Sequence, residues 1–240
     1  MEWAHLRLTD RIKRDVRVLF VGINPGVRSA QTGHHFAGFS NRFWKLLSDS
    51  RLVPEPITYR DDARLTEFGF GITNLIARPS PGIDDLSPGE YVEGWHALDV
   101  KIRRYKPEVV ALVGVTLFRA IAPLLGAVKR DRIELGPQPA VIHGARVFVL
   151  PNPSGRNANF SYAEMLAAFV ALRRSLSVPR RRRARGAGAS GARAAGAAGR
   201  SRPGGGTDPR TTPSPPAAAP SRTAPRTPAA SPSPGRRRRR

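Results

Sequence analysis

Four short apolar runs rich in β-branched residues stand out along the chain, at positions 16–21, 71–75, 109–113 and 146–150. Each is almost unbroken by polar residues. That is the pattern of a strand buried on both faces of a parallel sheet, since a half-exposed strand would alternate. Between the runs the periodicity turns helical. Ser87, Pro88 and Glu90 supply an N-cap, a proline at the first helical position and the acid that completes a capping box. The helix they start should run to about Tyr105, where Lys106-Pro107 ends it. Ser161 and Glu164 repeat this signature, and Tyr162, Met165, Leu166, Phe169, Leu172 and Leu176 follow at the spacing of a core-facing helical stripe. Strands alternating with helices predict an α/β fold, a three-layer α/β/α sandwich around a central, mainly parallel sheet. No internal repeat is evident.

Composition divides the chain in two. Residues 1–178 carry the periodic segments and read as one domain, whereas residues 179–240 contain no aromatic residue and no Leu, Ile, Val or Met. Such a segment cannot bury enough apolar surface to offset the entropy of ordering it, so a disordered Arg/Ala/Pro/Gly-rich tail is expected. The tail holds 16 arginines against a single acid, Asp208, and so carries +15 of the net +22. Its runs at 180–183 and 236–240 suit a polyanion, because guanidinium groups replace the counterions condensed on phosphates. Low-complexity drift would give the same composition without a role.

The chain has no cysteine, which rules out disulfides, thiolate zinc sites and iron–sulfur clusters. No cofactor and no metal are expected. No apolar run approaches the length of a membrane span and no secretory leader is recognisable, so the expectation is a soluble monomer with no membrane partner. Its place would be the cytoplasm, on the nucleoid, in a bacterium, or the nucleus in a eukaryote.

In a sheet of this kind chemistry belongs at the carboxyl ends of the strands. The first strand runs into Gly22-Ile23-Asn24-Pro25-Gly26, where the proline biases Asn24 away from helical angles and the glycines admit close backbone approach. Alone this is a turn. Its continuation is Thr32-Gly33-His34-His35-Phe36-Ala37-Gly38, then Asn41-Arg42-Phe43-Trp44-Lys45, which brings an aromatic face towards Asn24. Flat rings bind flat bases. Phe43 and Trp44 are assigned to the core. A second loop, Pro151-Asn152-Pro153-Ser154-Gly155-Arg156-Asn157-Ala158, is stiffened by two prolines and ends in one long cation. It suits a wedge that fills the gap left by an extruded base, or it is an ordinary strand-to-helix turn.

Taken in order, residues 22–26, 41–45, 71–75 and 150–155 resemble the mismatch-specific uracil/thymine branch of the uracil-DNA glycosylase superfamily, over about residues 16–175. The resemblance implies an enzyme that flips uracil, or a related mismatched pyrimidine including thymine, out of duplex DNA opposite guanine and hydrolyses its N-glycosidic bond. It casts Asn24 as the holder of the attacking water. The base pocket would comprise Asn74 as a donor, Phe36 stacked on the ring and Ser29 near C5, with the Ile23 backbone amide as a further candidate donor and His35 as a further tuner of base choice. The second loop would enter the minor groove and meet the widowed guanine with Asn152, Ser154, Gly155, Arg156 and Asn157. That loop is composite: Asn152-Pro153-Ser154-Gly155 is closer to the bacterial enzymes, Arg156-Asn157-Ala158 to the thymine-DNA glycosylases. The partner is double-stranded DNA with a G·U or G·T type mismatch.

An amide oxygen can orient a water but cannot take its proton as a carboxylate would, so the barrier must fall mainly through stabilisation of the departing base. Better leaving groups, such as uracil, ethenocytosine and pyrimidines with electron-withdrawing 5-substituents, should outpace thymine. No lysine is placed for a Schiff base, so a monofunctional glycosylase leaving an abasic site is expected. Three residues have plainer readings: His35 as a solvent-facing loop histidine, Asn74 as a sheet-end cap, Phe36 as core. For the whole chain the other reading is a non-catalytic nucleic-acid-binding module on the same fold.

Overall fold

β1 (Val18–Gly22) is buried along its whole length and divides its side chains between two cores, Val18 and Phe20 in one, Leu19 and Val21 in the other. This follows from the strand's period of two when both faces of the sheet are covered. The computed structural model describes residues 2–126 and 133–177; the arginine-rich tail lies outside them. After β1 come two short helices, α1 (Val27–Thr32) and α2 (Phe43–Asp49), and a pair of 3₁₀ turns over Tyr59–Phe68 that meet at a kink at Asp61. β2 (Phe70–Asn74), α3 (Pro88–Tyr105), β3 (Val109–Val113), α4 (Val115–Ile121), β4 (Gly136–Ile142), β5 (Ala145–Leu150) and α5 (Tyr162–Ser177) complete the domain.

The sheet order is β2-β1-β3-β5-β4, with every pair parallel except β4 against β5. α2 and α5 cover one face through Phe43, Leu46, Leu47, Met165, Phe169 and Leu172. α3 and α4 cover the other through Trp95, Leu98, Ile102, Leu117 and Ile121. The three layers are as the alternation of strands and helices predicts. Phe43 and Trp44 belong to the first core, and each fully buried side chain of that size contributes about 1.5–3 kcal/mol.

One strand is not legible from the pattern. β4 is an irregular edge strand with prolines at 137 and 139 and a shift of register between Pro137 and Val141. Proline cannot donate to a ladder, so it reads as a loop signal, yet an edge strand needs only one side of its backbone paired. The opposite edge is covered locally by the N-terminal segment, where Arg11 and Ile72 exchange backbone hydrogen bonds of 3.0 and 2.8 Å. That segment also brings Thr9 and Asp10 to the strand ends.

The first predicted helix start is as expected: Ser87 and Glu90 form the capping box of α3. α3 also approaches the end of β2 closely, since a Cβ at Gly94 would lie 2.6 Å from the Leu75 carbonyl oxygen. Glycine at this helical position sets the height at which the loop after β2 leaves the sheet.

Candidate active site

Gly22 and Asn74 are paired at the last rung between β1 and β2, so the two strands end side by side. A Cβ at Gly22 would stand 2.6 Å from Asn74 Oδ1 and 3.3 Å from Phe36 Cζ. Only a residue without a side chain leaves an amide and an aromatic edge converging over a bare strand end. Asn74 and Phe36 thus meet over the end of β1.

Asn24 lies two residues beyond. Its Nδ2 donates to the Ser80 hydroxyl at 2.8 Å and to the carbonyls of Arg78 and Pro25, each at 3.2 Å. Carbonyls only accept, and the Ser80 hydroxyl spends its proton on the Gly82 carbonyl, so all three partners require the nitrogen at that position. The amide orientation is thereby decided, and among the described residues no donor reaches Asn24 Oδ1. Ile23 is buried, its carbonyl accepts from Ile76, and its N–H lies past the last rung that β1 shares with β3.

Ser80 was not singled out by its sequence, and it is buried. The segment that carries it, Arg78-Pro79-Ser80-Pro81, is stiffened by two prolines and tied down twice. Ser80 N–H donates to Pro25, and the Arg78 guanidinium grips Glu90 through two bonds of 2.8 and 3.0 Å. Arg78 and the Ser87 backbone amide hold the Glu90 carboxyl down at about 2. The capping acid of α3 is thus also the anchor of the loop that orients Asn24. The double proline is the one local signal that could have pointed here.

Phe36 sits in the left-handed region at φ 52° and stacks on Phe43 with centroids 4.3 Å apart. A bulky residue there costs of order 1–3 kcal/mol and persists only where its surroundings impose it. The surroundings do. His35 N–H donates to Asp62, the His35 carbonyl accepts from Trp44 Nε1 at 3.0 Å, and Ala37 N–H donates to Ser29 Oγ at 3.0 Å. Ser29 is therefore buried as a clamp on the backbone that follows the ring. Phe36 is half-buried, so it is both core, through Phe43, and the ring that meets Asn74 over the strand end.

His35 corrects an expectation: it does not face solvent but is 1% exposed. Its Nε2 lies 3.0 Å from the Thr9 carbonyl, which can only accept, so Nε2 carries the proton. Nδ1 is then an acceptor for Asn74 Nδ2 at 3.5 Å. Burial pushes the imidazole below its ordinary 6.5, against the opposing pull of the Thr9 carbonyl and of Asp62 and Asp10. With its proton on Nε2 the ring accepts at Nδ1, which suits the orientation of Asn74 that turns Nδ2 towards it. Asn74 thus stands at the sheet end with the His35 ring as its side-chain neighbour.

The second loop is internally braced. Asn152 Oδ1 accepts from Ser154 N–H, Ser154 Oγ from Arg156 N–H, and the Asn152 carbonyl from Asn157 Nδ2 at 2.7 Å. It is also docked. Arg42 N–H donates to the Pro153 carbonyl at 2.9 Å, and a Cβ at Gly155 would fall 2.4 Å from Ser40 Cβ. Arg156 is exposed, with Nη1 3.4 Å from the Pro81 carbonyl, beside the residue that orients Asn24. The rigid cationic finger and the two strand-end amides therefore share one edge of the molecule.

A cavity of about 400 Å³ lies beside Asn74, lined by Asn74, Pro25, Asp10, Arg78 and Lys101 among others. Phe36 and Asn24 do not line it. Lys101 is the lysine that the loops alone did not suggest. Its Nζ is held by Asp10 at 2.7 Å and Thr73 Oγ1 at 2.9 Å. Among the described residues no group of three or more His, Cys, Asp or Glu could hold a metal ion.

Comparison with known proteins places the chain among uracil DNA glycosylases. The sequence model of the Uracil DNA glycosylase superfamily matches residues 9–175. A G/U mismatch-specific uracil DNA glycosylase of Schizosaccharomyces pombe is 38% identical over 156 residues, which cover 63% of this chain and 48% of that protein. The chain thus spans about half the length of that relative. A candidate uracil DNA glycosylase from Methanosarcina acetivorans, solved by solution NMR, superposes with a TM-score of 0.48 at 16% identity, over 71% of this chain and 97% of the other.

Proposed function

The chain belongs to the uracil DNA glycosylase superfamily, and on that footing we propose that it excises uracil opposite guanine from duplex DNA, leaving an abasic site. The observation that carries this reading is Asn24, two residues beyond the strand end at Gly22, whose amide nitrogen is fixed on three acceptors while, among the described residues, no donor reaches its oxygen. An acceptor so oriented holds a water at C1′ of a base lodged over that strand end. It takes no proton, so the rate depends on how well the departing base carries negative charge. The Ile23 N–H and the Asn74 amide serve that charge, and Phe36 offers the ring a stacking face.

Base choice follows from hydrogen-bond polarity. Uracil presents O4 as acceptor beside N3–H as donor, and cytosine reverses both. Asn74 gives one Nδ2 proton to His35 and keeps its second N–H and its Oδ1 for a base, which complements uracil and opposes cytosine. Thymine shares uracil's edge but is a poorer leaving group, so it is a slower substrate. The duplex is opened by extrusion, with the 154–156 tip filling the gap and Arg156 lying nearest the unpaired guanine.

The test is incubation of a G·U duplex with the protein, then hot alkali to cleave at abasic sites. Cleavage is expected with wild type and its near-loss with Asn24→Ala. Wild type that binds the duplex yet yields no abasic site would reduce the chain to a nucleic-acid-binding module. An Asn24→Ala variant that cuts as fast as wild type would overturn the mechanism while leaving the activity.

A further inference from the structure

Phe39 is 90% exposed, the most exposed of the large apolar side chains among the described residues. One face of its ring is covered by the Arg28 guanidinium, whose Cζ lies 3.6 Å from the ring centroid. The same guanidinium is held at Nε by the Ala37 carbonyl at 2.8 Å and reaches Tyr59 Oη at 3.5 Å. Tyr59 in turn carries Arg60, with Cζ 5.1 Å from its ring. Aromatic and cationic planes therefore alternate from Phe39 through Arg28 and Tyr59 to Arg60. Among the described residues neither arginine forms a close ion pair with a carboxylate, although Asp61 lies near enough to Arg60 to feel its charge.

We propose that this stack is a second DNA contact, in which the free face of Phe39 packs on a base next to the extruded one and Arg28 and Arg60 face the flanking phosphates. The inference rests on DNA being the substrate. Four observations support it. An exposed ring with a cation fixed behind it is the combination that binds bases without reading their sequence. The guanidiniums, neither in a close ion pair, match the phosphate backbone in sign. The stack is continuous with the finger, because Ser40, next to Phe39, packs directly on Gly155. Finally, Phe39 follows Phe36 by three positions, a reach of at most about 10 Å, or about three base steps along a strand.

The ring's exposure makes it a clean target, since Phe39→Ala removes no core contact. Three readings are needed on G·U duplex: the dissociation constant, the single-turnover excision rate at saturating protein, and fluorescence of 2-aminopurine placed beside the uracil. Phe39→Ala should raise the dissociation constant about tenfold and leave the saturated rate within about twofold. It should also abolish the change in 2-aminopurine emission that wild type produces, and Phe39→Trp should restore both. Arg60→Ala should weaken binding and lower its salt dependence. The proposal falls if Phe39→Ala binds like wild type with the same 2-aminopurine signal. It also falls if the variant only changes the protein's oligomeric state, which would make the ring a self-association contact. If wild type leaves no abasic sites but Phe39→Ala still weakens binding, the enzymatic reading fails and this contact stands.

Discussion

The amide nitrogen of Asn24 donates to the hydroxyl of Ser80 at 2.8 Å, across 56 residues of sequence. The hydroxyl's own proton goes to Gly82, so it acts on Asn24 purely as an acceptor. Replacing Ser80 by Ala removes one of three restraints on the amide and lets its oxygen drift from the reacting carbon. The excision rate at saturation should fall about tenfold, with half-saturation little changed, because base and backbone contacts are untouched. Ser80→Thr should restore the rate. Loss of one hydrogen bond costs about 1 kcal/mol, so the melting temperature should fall by only a few degrees.

Gly22→Ala tests the strand end itself. Its Cβ would press on Asn74 Oδ1 at 2.6 Å and Phe36 Cζ at 3.3 Å, which are the ends of side chains and able to yield. The protein should therefore fold with a melting temperature close to wild type. Excision should drop about a hundredfold, the usual result of displacing positioned groups by about 1 Å. A variant of near-normal activity would show that the base does not bind over this strand end.

His35 makes stability and activity depend on pH in the same direction. Its native pKa is lowered by burial from 6.5, so below that value the unfolded chain takes up a proton before the folded one does. Stability is thus full above 6.5 and is lost as pH falls towards the lowered native value. Protonation would also remove the lone pair that accepts from Asn74, so excision should decline on the same limb. Melting curves and excision rates from pH 5 to 8 would check this. His35→Gln should remove the slope, and a slope that persists in that variant would assign it to another group.

Arg156 and the tail should leave different marks. Arg156→Ala should weaken excision from G·U duplex about tenfold yet spare single-stranded uracil, since no gap has to be filled there. Deleting residues 179–240, outside the described residues, should weaken binding across all sequences and flatten its dependence on salt. Equal loss on duplex and single strand for Arg156→Ala would speak against a wedge.

What sequence alone decided is local. The unbroken apolar runs set strands buried on two faces, the Ser-x-x-Glu boxes set where α3 and α5 begin, and proline and glycine marked the two loops at the strand ends. Each depends on residues within a few positions of one another, so each was legible, and the order of the loop motifs identified the family. β4 was missed because proline at an edge strand costs no paired hydrogen bond. Tertiary structure decided everything that depends on distant partners. Sequence could name Asn24, Asn74 and His35 but not say which way their amides or tautomer point, because Ser80, Arg78, Thr9 and Asp62 fix those choices from far along the chain. Hydrogen-bond direction is a property of the partner as much as of the residue, and the partners meet only when the sheet aligns the strand ends.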